Sequence, residues 1–243
     1  MRRIANILKW VLLLGYFPVM LAFVSASNRA VICSDVRVVV RDSLETGFIT
    51  AAEIRRSILN QYPDLLGSRM QGLNMNEMEA FVSKSSFVRN CQIFNSPSGV
   101  LNVVVKQHQP ILRVFASDGT YYLDESGRKI PVSKRFSARV LVANGNIPAD
   151  RTDLVRVAGL IDSDPFWKAQ MEQIYIRRNN DYVLVPRVGD QLILLGKPEK
   201  VEEKLRNLRA LYDRGLDPRE WNNYQLINLK YEGQVICSRK RDF

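Results

Sequence analysis

Histidine is nearly absent: His108 is the only one in 243 residues. That excludes a His-rich metal site, and a Ser-His-Asp triad would have to be built on this one ring. His108 stands just before Gln109-Pro110, where proline interrupts the strand pattern, and it reads as a residue at a strand end. Cysteine is scarce and odd in number. Cys33, Cys91 and Cys237 are far apart, with no C-x-x-C motif and no disulfide framework. One pair is enough for a bridge in an oxidising compartment, but the spacing suits buried thiols. Long runs of Lys or Arg are also missing. The net charge of +10 is scattered among acids, which argues against nucleic acid as a partner and suits anionic headgroups or an acidic protein. Acids such as Asp124, Glu125, Asp162 and Asp164 are available for a carboxylate pair. Turn and cap positions explain them without chemistry, so nothing demands an exported enzyme, and no metal or cofactor is implied.

What is present begins with an uncharged run, WVLLLGYFPVMLAFVSA, from Trp10 to Ala26. It is at the short end of what spans a bilayer core, and it extends back to Ile4 if Asn6 and Lys9 are included. Lys9 can extend its ammonium to the headgroups. Gly15 and Pro18 are tolerated in membrane helices. Arg2, Arg3 and Lys9 precede the run, and Arg29 is the only nearby cation after it until Arg37. By the positive-inside rule this places the N-terminus in the cytoplasm and exports the rest. Val24-Ser25-Ala26 also resembles a signal-peptidase site, so a cleaved signal is the alternative to an anchor. Both readings export the chain.

Behind this segment the pattern predicts strand, helix, helix, strand, strand. The stretch 36–41 alternates as a strand with Val36, Val38 and Val40 on one face. Thr50 and Glu53 have capping-box spacing before a helix presenting Ile54, Ile58 and Leu59, which stops before Pro63. Residues 64–73 read as a loop. Asn74 and Glu77 open a second helix with Met75, Met78, Phe81 and Val82 as its apolar stripe. Strands follow at 88–95 and 100–107, joined through Ser96-Pro97-Ser98-Gly99.

After Pro110 the pattern is mostly strands, at 111–115, 121–124 and 139–143. Asp118-Gly119 and Glu125-Ser126-Gly127 supply turns. A helix is predicted over 153–161, then a short one opened by Asp164-Pro165 as N-cap and first helical residue. Strands follow at 173–177, 182–186 and 191–195. The strongest helical pattern runs over 198–214, with acids early, cations late and Gly215 as its stop. Trp221 is expected to pack in the next loop, and strands at 224–231 and 234–238 close the chain.

Several stretches carry a family resemblance. Phe87 to Cys91 with Val100 to Val105, the Gln109-Pro110-Ile111 step, YYLDESG at 121–127, Leu194-Leu195-Gly196 before a helix, and Ile227-Asn228-Leu229-Lys230-Tyr231 occur in order behind one apolar segment. Together they resemble the FtsQ/DivIB family of bacterial cell-division proteins. The acid-Arg that precedes the family's proline is replaced here, and the family's proline-rich run is poorly matched at 130–139. The resemblance implies an α+β protein: a cytoplasmic tail (1–9), one transmembrane helix (10–26, with Trp10, Pro18 and Ala26 marking the anchor), a β-α-α-β-β POTRA domain (34–107), a mostly antiparallel β-domain with a long helix (108–238) and a tail (239–243). It further implies a non-enzymatic divisome scaffold of the cytoplasmic membrane at the septum. Such a scaffold binds FtsB/FtsL-like (DivIC/FtsL) bitopic partners and helps regulate septal peptidoglycan synthesis. Carried to this chain, partner binding by strand addition falls on the stretches 224–231 and 233–237, with Tyr224, Leu226, Ile227, Asn228, Leu229, Lys230, Tyr231, Gly233 and Val235 as the picked residues and the 198–214 helix nearby. A second interface for other divisome proteins falls on 36–41 and the first helix. The alternative is a POTRA component of envelope transport or outer-membrane assembly. The absence of repeated POTRA units and of a series of amphipathic barrel strands in this sequence argues against it.

Overall fold

The computed structural model describes residues 10, 14–18, 20, 31–41 and 46–240. Trp10, Leu14 to Pro18 and Met20 are helical and exposed, while Ala26 and most of the expected span lie outside the described residues. Among the described residues no helix is long and apolar enough to cross a membrane, so the single-pass part of the expected fold finds no support there. The chain falls into two compact units, Met1–Gln107 and His108–Phe243.

In the first unit the elements are β1 (Asp35–Val40), α1 (Ala51–Gln61), α2 (Met75–Ser83), β2 (Val88–Asn95) and β3 (Val100–Gln107). One 3-10 turn, Met70–Gly72, interrupts the loop between the helices. The sheet order is β1-β3-β2, with β1 parallel and β2 antiparallel to β3. Alternation along β3 sends Leu101, Val103 and Val105 into the core, against Ile54 and Ile58 of α1 and Met78 and Val82 of α2. The Thr50–Glu53 capping box is formed in both directions: Thr50 N–H donates to Glu53 Oε2 at 2.8 Å and Glu53 N–H to Thr50 Oγ1 at 3.3 Å. Asn74 caps α2 through Glu77 N–H at 3.2 Å. Gly99 is required by its φ of +82° and because a Cβ there would lie 2.4 Å from the Ile32 carbonyl oxygen. The Gln107 side chain fastens the end of β3 to the loop before α1, donating to Thr46 O and accepting from Ile49 N–H.

The second unit contains β4 (Pro110–Ala116), β5 (Gly119–Asp124), β6 (Lys129–Pro131), β7 (Leu141–Gly145), α3 (Thr152–Ser163), α4 (Pro165–Gln170), β8 (Met171–Ile176), β9 (Tyr182–Pro186), β10 (Leu192–Gly196), α5 (Val201–Ala210), β11 (Tyr224–Asn228) and β12 (Ile236–Arg239). These strands make one sheet of order β12-β11-β10-β9-β8-β7-β4-β5-β6. Ile174, Leu184, Ile193 and Ile227 stand in register across four strands and are wholly buried, in one cluster with residues of all three helices. Their neighbours along the strands, Tyr175 and Leu192, are exposed on the other side.

Several expectations are corrected here. The sheet is mostly antiparallel, as expected, but β4–β7, β7–β8 and β10–β11 pair in parallel. Two of these pairs are joined through helices, because a parallel neighbour needs a crossover too long for a hairpin. The helix expected over 198–214 is ten residues of α-helix followed by a π-helical turn at Leu211–Gly215. Its start is set by Lys200, whose φ of +51° cannot continue a right-handed helix. Gly215 does not act as a left-handed stop. The final long strand ends at Asn228, and β6 was not anticipated.

The lone histidine is structural. His108 Nδ1 lies 2.8 Å from Asp124 Oδ2, and both residues are buried. Asp124 Oδ1 also accepts from the Ser126 and Arg128 backbone N–H groups and from the Ser126 hydroxyl. Burial pushes the Asp124 carboxyl up, but the Ser126, Arg128 and His108 hydrogen bonds outweigh it and hold the group below its usual range. The cysteines are free thiols, Cys33 and Cys91 buried and Cys237 half-buried.

Replacing Asp124 by Ala leaves these donors without their acceptor. It is expected to destabilise the protein by about 2–4 kcal/mol in chemical denaturation. The wild-type contribution is present above the unfolded carboxylate range near pH ~4 and is lost as pH falls toward the lowered folded value, so the variant should show a smaller loss of stability over that acid interval.

Candidate partner-binding edge

The nine-stranded sheet ends in two edges of different character. At one end β6 is three residues long and closes on Pro131, which has no N–H to offer. Its Lys129 is pinned, with Nζ 2.8 Å from Asp118 Oδ2 and 4.2 Å from the centre of the Tyr121 ring. Both devices blunt an edge against another strand. At the other end β12 pairs antiparallel with β11 on one side, and among the described residues no strand lies on its other side. It has no proline. Ile236, Ser238 and Arg239 are exposed, and Cys237 is half-buried with its thiol pushed up by burial. Just past the strand, Lys240 N–H donates to Asn223 O at 2.8 Å, and its ammonium pairs with Asp190 at 2.8 Å.

The placement of β12 follows from β11. The crossover through α5 lays β11 parallel to β10, and Leu229 N–H extends that pairing by donating to Leu194 O at 2.8 Å. Ile227 and Leu229 are buried beneath α5, whose Val201, Leu205 and Leu208 face the same core. Beyond Leu229 the chain turns, and Lys230 crosses Gly196 to reach Asp181 at 3.1 Å. A Cβ on Gly196 would stand 2.6 Å from Lys230 Cγ, and Gly196 has a φ of +75°. Burial pushes the Asp181 carboxyl up, but hydrogen bonds from Lys230 and Asn179 outweigh it and hold the group below its usual range. Gly233 completes the turn with a φ of +65°.

The residues picked from the sequence therefore divide. Ile227 and Leu229 are core. Tyr224, Leu226 and Asn228 are half-buried within β11, which is paired on both sides, and the Arg239 guanidinium lies over the Tyr224 ring. Lys230 is committed to Asp181. Val235 is half-buried against the core. Tyr231 and Gly233 are exposed in the turn, Tyr231 at 57%. A groove beside Tyr231 runs between this turn and the first turn of α5, lined by Lys200, Glu203, Lys204 and Glu232 among others. Glu232 and Lys200 are paired across it at 2.5 Å. Lys204 donates to the carbonyls of Leu195 and Lys197, both at 2.9 Å. The expected surface reached Ile236 and Cys237, and sequence reasoning missed Ser238 and Arg239. The turn signal at Glu232-Gly233 was the available cue, since it sends a further strand back along β11. The acids considered for catalysis are in structural service: Asp164 caps α4, Asp162 pairs with Lys168, and Asp124 organises its turn.

A family model described as FtsQ/DivIB, C-terminal related, matches residues 109–238, and a POTRA-like domain model matches residues 31–106. The chain belongs to the FtsQ/DivIB family. Comparison with individual characterised proteins returns no match. Membership of the FtsQ/DivIB family makes this a cell-division protein by kinship, with the C-terminal related region spanning the sheet that carries both edges.

Gly196→Ala is expected to destabilise this FtsQ/DivIB region by about 1–3 kcal/mol, from the left-handed backbone and the Lys230 contact together. In a double-mutant cycle Lys230→Ala should relieve the contact and not the backbone strain, leaving a coupling of about 0.5–1.5 kcal/mol. A coupling of zero in chemical denaturation would mean that Lys230 does not lie over Gly196.

Proposed function

We propose that this protein is a non-enzymatic scaffold of the division machinery that receives a strand from a partner at the free edge of β12. The observation that carries the reading is the inequality of the two edges, one blunted by proline and a pinned lysine, the other without proline and, among the described residues, without a strand beyond it. An incoming strand would pair with the outer backbone groups of β12 at residues 236–238. Side chains flanking that strand would be selected by exposed Ile236 and by the groove beside Tyr231, where Lys200, Glu203 and Glu232 offer charges of both signs. FtsB-like and FtsL-like bitopic proteins are the proposed partners, and regulation of septal peptidoglycan synthesis is the proposed consequence. The uncharged run from Trp10 to Ala26 is proposed as a single-pass anchor in the cytoplasmic membrane, with both units outside. The first unit, through β1 and α1, is proposed as a second contact for other division proteins.

The test is pull-down of small bitopic partners from envelope extract by the tagged full-length chain. Tyr231→Ala and Ile236→Asp alter exposed positions and should leave the fold intact while weakening capture at least tenfold, about 1.4 kcal/mol. Leu229→Lys is the contrasting variant. It inserts a charge into the core and should lose stability, so its loss of binding carries no information about contact. Undiminished capture by folded Tyr231→Ala and Ile236→Asp proteins would remove this edge from the interface. Recovery of outer-membrane barrel proteins in place of bitopic ones would favour an assembly role.

A further inference from the structure

Away from the β12 edge, one end of the sheet gathers cations. Arg139 lies two residues before β7, and Arg187 directly follows β9. Between these strands runs β8, whose first residue, Met171, pairs with Pro186. Two strand spacings separate β7 from β9, about 10 Å, which long side chains span readily. Lys168 of α4 joins them, and the three residues line one small cleft together with Asp162 and the apolar Val140, Leu141, Ile161 and Met171. Asp162 is 2.8 Å from the Lys168 ammonium. Arg139 and Arg187 are exposed, and neither guanidinium has an acid or hydrogen-bond partner among the described residues. Their backbone setting is firm: Arg187 N–H donates to Gln170 O at 2.7 Å, and Lys168 N–H to Asp164 O at 2.9 Å.

The sequence adds to this. From Arg128 to Arg139 there are five cations and no acid. Lys129 is paired with Asp118, and Arg128 reaches His108. Arg139 has no such outlet. Three cations and one carboxylate leave the cleft with a net charge near +2, and unpaired like charges this close repel. A bound anion of two charges would balance them. Guanidinium groups approach tetrahedral phosphate in a forked, two-point geometry, and an ammonium adds a point charge.

The geometry points to a binding site for a doubly charged phosphate group in the cleft formed by Arg139, Lys168 and Arg187. The group is a terminal phosphate dianion, carried as the monoester of a lipid headgroup or present as free inorganic phosphate. The site is independent of strand addition at β12.

The experiment compares wild type with the double variant Arg139→Gln/Arg187→Gln, each as the full chain in non-ionic detergent. Without anion the variant should unfold at the same temperature as wild type or higher, since repulsion is relieved; that establishes its fold. Inorganic phosphate at ~10 mM should raise the wild-type midpoint by about 3 °C for a dissociation constant near ~1 mM, and leave the variant unmoved. The Arg139 and Arg187 Nε–H resonances should shift on titration, a readout that general salt effects do not produce. Flotation with vesicles of phosphatidylcholine, with and without phosphatidic acid, tests the lipid source. A phosphatidic acid-dependent gain present in wild type and lost in the variant assigns the site to a headgroup, and response to inorganic phosphate alone assigns it to the free anion. Equal behaviour of wild type and variant toward both probes overturns the proposal.

Discussion

An open sheet has to end, and its last strands carry backbone donors and acceptors that nothing inside the sheet can satisfy. This constraint organises the second unit. At β6 the problem is suppressed by shortness, by Pro131 and by a lysine held between Asp118 and the Tyr121 ring. β12 is one residue longer and has no proline, and its cations lie elsewhere, Arg239 over the Tyr224 ring and Lys240 paired with Asp190 just past the strand. Proline is one difference between the two edges, and topology is the other: the antiparallel return of the chain along β11 sets β12 at the outer position among the described strands.

That topology rests on α5. A hairpin can only place a strand antiparallel to its predecessor, whereas the ten-residue helix carries the chain back to start β11 beside the start of β10. Val201, Leu205 and Leu208 hold the helix down by burial. The Lys230 bridge to Asp181 then lies just past the end of β11, and Gly196 is the bare backbone that lets it pass. A similar device operates at His108 and Asp124, where a buried carboxylate gathers donors from a turn. In both places an acid that burial alone would neutralise stays ionised because its hydrogen bonds outnumber the penalty. Acids of this kind look like catalytic candidates in a sequence and are turn anchors in the fold.

The first unit was legible almost residue by residue, because its signals are local. The Thr50–Glu53 box, the Asn74 cap and the alternation of Leu101, Val103 and Val105 each need only a few neighbouring residues to be read. The second unit was legible as elements and less so as a sheet. Strands at β5, β9 and β10 stand close to where alternation put them, but parallel pairing leaves no local mark. The left-handed Lys200 has no signal either, since lysine disfavours that conformation and only the tertiary fold imposes it. The terminal strand was read as one long apolar alternation through Tyr231. Just past its actual end at Asn228, Lys230 is drawn to Asp181, 49 residues from it along the chain, which no window on 224–231 contains. For the same reason nothing in the sequence separated Ile227 and Leu229, which meet the core, from the neighbours picked with them as partner contacts.

Strand directions separate the two surfaces of the second unit. β8, β10 and β11 run the same way, and β9 and β12 run against them. The starts of β8 and β11 and the ends of β9 and β12 therefore share one end of the sheet. Arg139, Lys168 and Arg187 gather at that end, as does Arg239, while Tyr231 and the first turn of α5 stand at the other. A strand laid along β12 would run the length between them without crossing β8 or β9. Phosphate chemistry in the cleft and strand addition at the edge thus draw on different side chains. A cationic cleft four strands from the edge has no part in pairing backbone groups, so its unpaired arginines require an explanation of their own, and the chemistry of two guanidinium groups and an ammonium with one carboxylate supplies it.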